Sequence, residues 1–118
     1  MKTIALFSLA ILLFLSCKKD NNTTQYKVKY VVTGENVTQF KISQNTTDNF
    51  VKTPFSGTKD TTVYVEFGAA LKLDTKAENH NLVGSIYVND VLKATGTDLD
   101  SNQDNKTEVK IDYTIANP

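Results

Sequence analysis

Val63-Tyr64-Val65-Glu66-Phe67-Gly68-Ala69-Ala70-Leu71-Lys72-Leu73-Asp74-Thr75-Lys76-Ala77-Glu78 is the stretch that decides the fold. Val63, Val65 and Phe67 alternate with Tyr64 and Glu66. After Gly68 the period resumes, with Leu71, Leu73, Thr75 and Ala77 set against Lys72, Asp74, Lys76 and Glu78. A period of two sends successive side chains to opposite faces of an extended chain, so both halves predict strands buried on one side and wet on the other.

The same period runs outward in both directions. Tyr26, Val28, Tyr30 and Val32 share a face opposite Lys27 and Lys29, and Gly34-Glu35-Asn36 predicts a turn into a strand carrying Thr38, Phe40 and Ile42. Polar residues 44–48 end that strand. Pro54 lacks the amide hydrogen of a central strand, so residues 50–55 predict an edge segment, followed by a loop at Ser56-Gly57-Thr58-Lys59-Asp60. Downstream, the turn at 78–81 leads to a strand over 82–88. Asn89-Asp90 suits a two-residue type I′ hairpin, because both residue types tolerate the left-handed conformation, and a strand over 91–95 follows. After a loop over 97–105, Val109, Ile111, Tyr113 and Ile115 oppose Lys110, Asp112 and Thr114. Seven or eight short strands without a helical period predict an all-β domain over 26–118, an antiparallel β-sandwich of immunoglobulin-like architecture. Val28, Phe40, Val65, Leu73, Ile86 and Ile111 are expected inside it.

Composition narrows the function classes. The 118 residues hold 13 basic side chains, all lysine, against 13 acidic ones. That balance removes the long-range attraction on which polyanion binding depends, and the missing arginine removes bidentate recognition of guanine and phosphate, so no nucleic-acid partner is expected. One cysteine closes no intramolecular disulfide and falls short of a zinc site.

The amino terminus carries an export signal. Met1-Lys2-Thr3 precedes an apolar run from Ile4 to Leu15, broken only by Ser8, which ends at Ser16-Cys17. As a helix the run spans about 18 Å, against the roughly 30 Å hydrocarbon core that a spanning segment must cross. A short transmembrane helix and an ordinary cleaved signal are the plain alternatives. Leu13-Phe14-Leu15-Ser16-Cys17 resembles a bacterial lipobox of the relaxed Bacteroidota kind, which implies cleavage before Cys17 and acylation of that residue. Residues 1–16 are then a signal peptide and 17–25 a lipidated, flexible tether with a reach of about 15–17 Å. Lys18-Lys19-Asp20 resembles the export signal of Bacteroidota surface lipoproteins, which implies an outer-membrane location.

Tyr26 to Gly34, Phe40-Lys41-Ile42-Ser43, Thr53-Pro54-Phe55, Val63 to Leu73 and Ser85-Ile86-Tyr87-Val88-Asn89-Asp90 together resemble the MmpS family. The resemblance implies an extracytoplasmic β-sandwich and a role as accessory to a resistance-nodulation-division transporter. The mycobacterial members carry a transmembrane helix, where this chain has Cys17.

No constellation in the sequence supplies a reaction centre. His80 sits between Asn79 and Asn81 in a polar turn, and none of Ser43, Ser56, Ser85 or Ser101 lies in a nucleophile elbow. Asp98-Leu99-Asp100-Ser101-Asn102-Gln103-Asp104 spaces its oxygens like a calcium loop. Counted from Asp98, however, Gln103 stands where an EF-hand has glycine and Val109 where it has glutamate. No catalytic residue, metal site or cofactor is therefore expected. Asp60-Thr61-Thr62 resembles an O-glycosylation motif of exported Bacteroidota proteins, with Thr61 as acceptor. Tyr64 and Tyr87 lie opposite their strands' apolar sets, available to stack on a sugar or dock a partner. Phe50 and Phe55 flank Pro54 on an edge suited to strand addition. Two roles follow: a non-catalytic envelope lipoprotein acting with a transporter or other protein partner, or a surface lipoprotein that binds a glycan or another ligand.

Overall fold

The computed structural model describes residues 25–78, 81–99 and 107–116, all strand, turn or link, with every strand pair antiparallel. The strands are β1 (Gln25–Gln44), β2 (Thr47–Phe50), β3 (Phe55–Glu66), β4 (Ala70–Ala77), β5 (Leu82–Val88), β6 (Val91–Asp98) and β7 (Thr107–Thr114). Among the described residues the fold is all-β, as the alternation predicted.

One strand organises the other six. The first half of β1 lies between β3 and β5, with β6 beyond β5; its second half lies between β2 and β4, with β7 beyond β4. A single hydrogen-bonded sheet is thus folded across β1 into two facing layers. The fold line is at Gly34–Gln39, where the register against β3 shifts between Gly34 and Val37 and that against β4 shifts between Val37 and Gln39. Asn36 supplies the left-handed residue there, with φ 49°. Tyr30 ties the two halves together: its hydroxyl donates to the Ser43 carbonyl at 3.2 Å and accepts from Gln44 Nε2 at 3.1 Å.

This bend corrects two expectations. Gly34-Glu35-Asn36 is part of a continuous strand rather than a turn between strands, and Thr38 is exposed while Val37 is buried. Tyr26, Val28, Tyr30 and Val32 are inward at even positions; the irregularities bring odd-numbered Val37 inward, then return the even positions Phe40 and Ile42 to the core. An unbroken period of two cannot show such a double phase change.

Other boundaries move for related reasons. Ser56 to Asp60 are not a loop but the first part of β3: Gly57 to Asp60 pair with residues 31–34 of β1, and Ser56 sits at the register shift. Strand β2 comprises Thr47–Phe50, while residues 51–54 form a link. Strand β6 runs on to Asp98, shortening the expected loop after it, and Gln25 belongs to β1 rather than to the tether. Phe67 leaves the core altogether: it sits in the β3–β4 turn at 58 % exposure. The Asn89-Asp90 turn is as expected, with φ 48° and 68°. Of the six residues expected inside, Val28, Phe40, Val65, Leu73 and Ile86 are buried, and Ile111 packs half-buried against them.

The two flanks of the sandwich differ. On one, β6 lies against β7 and β5 against β4 and β7. Gly84 and Gly96, directly opposite in the β5–β6 ladder, permit this approach. A Cβ on Gly96 would stand 2.8 Å from Ile111 Cγ2 and 2.9 Å from Val109 Cγ1; one on Gly84 would stand 3.0 Å from Leu73 Cδ2. On the other flank, among the described residues, β2 and β3 each border β1 alone.

Candidate functional site

The outer face of the first layer is a lattice of residues brought together by the register of β3, β1, β5 and β6. Tyr64 stands beside Lys27; the next row reads Thr62, Lys29, Tyr87 and Leu92, and the one after it Asp60, Val31, Ser85 and Thr95. Tyr64 is 62 % exposed and Leu92 49 %, both far more open than a residue covered by a second layer. With two strand spacings of about 4.8 Å and two residues of about 3.3 Å, the Tyr64 and Tyr87 backbones are roughly 12 Å apart.

Local electrostatics hold the lattice in place. Lys27 Nζ is 2.8 Å from Asp90 Oδ1, which raises the lysine pKa and lowers that of the carboxyl through their shared hydrogen bond and charge. Both groups are solvated, so the pair orients the hairpin turn more than it stabilises the fold. Asn89 completes that corner: its side chain accepts from the Lys27 amide at 3.0 Å while its own amide donates to the Lys27 carbonyl at 2.8 Å. Lys29 Nζ lies 5.5 Å from the Tyr87 ring centre, a cation–π distance. Ser85 and Thr95 hydroxyls share a hydrogen bond of 3.1 Å.

The outer face of the second layer has a different chemistry. Register sets Lys41 against Asp74, Asp74 against Lys110 and Lys72 against Asp112 around an open groove of about 400 Å³, and Lys76 against Glu108 beyond it. Lys76 and Glu108 are 3.6 Å apart and Lys41 and Asp74 3.9 Å, while Ser43 Oγ donates to Asp48. Opposite charges directly across strands are mutually compensating, which makes this a solvated face rather than a field aimed at a charged ligand. Among the described residues no group of three or more His, Cys, Asp or Glu side chains is placed to hold a metal.

The residues singled out by sequence are scattered. Tyr64 and Tyr87 do share one face. Phe50 is 69 % exposed on β2, whereas Phe55 packs half-buried against Phe40, with ring centres 6.2 Å apart. Thr61 lies within β3 opposite the buried Tyr30, on the core-facing side and half-buried. Ser43, Ser56 and Ser85 lie on three separate strands. Cys17, His80 and residues 100–104 of the acidic stretch, Ser101 among them, lie outside the described residues. Lys29, Leu92 and the Lys27–Asp90 pair were missed as part of one surface, since only cross-strand register brings them to it. No family model, curated protein or solved structure matches the chain.

Proposed function

We propose that the chain is a non-catalytic interaction module of the cell envelope, lipid-anchored through Cys17 in the outer membrane, whose exposed first-layer face engages a protein partner of the same envelope. The observation that supports this reading is the gathering of Tyr64, Tyr87 and Leu92 on one sheet face that includes β3, a strand bordered among the described residues only by β1. Aromatic and leucine side chains supply contact area, and a free edge supplies main-chain hydrogen bonds for an added strand. The MmpS resemblance names the class of partner, a resistance-nodulation-division transporter assembly.

A photo-crosslinking side chain at Thr62 tests the reading in intact membranes. It is expected to capture one discrete envelope protein, and Tyr87→Ser to reduce that capture several-fold, while the same probe at Asp112 on the second layer captures none. Equal yields from both faces would overturn it. A glycan is the second reading, favoured by the roughly 12 Å between the two tyrosines, near the span of two sugar units. It predicts no protein adduct and a several-fold loss of oligosaccharide affinity in Tyr64→Ala.

A further inference from the structure

One end of the sandwich gathers exposed apolar side chains, and it is the end at which the chain enters. Gln25 opens β1 there, paired with Glu66. The β1–β2, β3–β4 and β5–β6 turns lie at the same end, since Gln25, Gln44, Asn45 and residues 64–69 line one hollow and Asn89 is bonded to Lys27. Six large hydrophobic residues are exposed among the described ones; Tyr64, Phe67, Val91 and Leu92 lie at or within a few residues of this end. Phe67, on the β3–β4 turn, and Val91, just past the Asn89-Asp90 turn, are its tips. Phe50 sits higher on the second layer, and Leu99 follows β6 at the opposite end.

Chain length says what this end faces. Cys17 precedes Gln25 by eight residues, which span at most about 29 Å even when fully extended. The far end, marked by Gly34, is a further nine residues of strand away, about 30 Å. At its ordinary reach of about 15–17 Å, half the length of the domain, the tether favours the apolar end near the bilayer over the Leu99 end.

We propose that Phe67 and Val91 form a membrane-resting rim that inserts shallowly into the bilayer holding the Cys17 lipid, with Tyr64 and Leu92 just above it on the first-layer face. The inference rests on the anchor proposed above. It also orients the module, because a sandwich standing on this rim holds its first-layer face upright beside any partner embedded in the same membrane. Apolar side chains at the headgroup boundary gain by leaving water. The charges nearby are balanced, with Lys27 paired to Asp90, so the contact is expected to be insensitive to salt.

The test uses the mature lipidated protein in phosphatidylethanolamine–phosphatidylglycerol vesicles. The chain has no tryptophan, so Phe67→Trp introduces a sole indole at the rim and Leu99→Trp a sole indole at the other end. Lipids brominated near the headgroup are expected to quench Phe67→Trp several-fold more strongly than Leu99→Trp, with the difference surviving high salt. Equal quenching, or stronger quenching of Leu99→Trp, would overturn the rim. Intact mass at Cys17 and vesicle flotation read the anchor separately. A protein that floats with equal quenching loses the rim and keeps the anchor, and one with unmodified Cys17 loses both.

Discussion

The β6–β7 flank and the β2–β3 flank are both built from antiparallel strands of one sheet, yet one is closed and the other open. The closed flank depends on what is missing: two glycines in register, Gly84 and Gly96, let the β5–β6 hairpin press on Leu73, Val109 and Ile111. On the open flank β3 has only β1 for a neighbour among the described residues, and its inward residues Lys59, Thr61 and Val63 remain half-buried. Closeness of approach, not the hydrophobic pattern, separates packing from partner access.

The largest effect should come from forcing the closed flank apart. Gly96→Val places its Cβ against the branched, stiff side chains of Val109 and Ile111, which have no free rotamer to yield. A loss of about 2–3 kcal/mol is expected from urea unfolding. A loss below about 0.5 kcal/mol would mean that the flanks do not differ in packing.

Tyr30→Phe sharpens the comparison at the fold line. It removes the hydroxyl's bonds to Ser43 and Gln44 and should cost about 1 kcal/mol at neutral pH. Burial raises the Tyr30 pKa above its ordinary 10.0, with the Gln44 bond opposing. The unfolded tyrosine therefore ionises first, and this contribution to stability, full below pH 10, is lost as pH rises through the folded pKa. Unfolding midpoints at neutral and strongly alkaline pH should show a shallower alkaline decline in Tyr30→Phe than in the parent protein. An unchanged decline would assign it to other groups.

The smallest effect belongs to the open flank. Thr62→Ala, on the outer face of β3, should stay within about 0.5 kcal/mol of the parent by thermal unfolding. A loss near that of Gly96→Val would show β3 to be as tightly held as β6.

Sequence alone was a good guide where a strand keeps one phase and has a neighbour on each side. Leu71, Leu73, Thr75 and Ala77 of β4 are buried as their alternation requires, as are Leu82, Ile86 and Val88 of β5. It failed where partners decide. Ser56 to Asp60 carry a loop's composition but belong to β3, with Gly57 to Asp60 paired to β1, and Phe67 continues an apolar period into a turn that exposes it. For the candidate surface, Tyr64 and Tyr87 were legible as outward-facing; their shared face, and the places of Lys29 and Leu92 on it, were not.

The alternation of apolar and polar side chains determined that this chain forms strands, and the left-handed tolerance of Asn89 and Asp90 determined one of its turns, because both are properties of a few consecutive residues. The bend of β1, the closed flank at Gly84 and Gly96, and the gathering of Phe67 and Val91 at the end where Gln25 enters were decided only by tertiary structure. Each depends on register and distance between segments far apart in the chain, which no local pattern encodes.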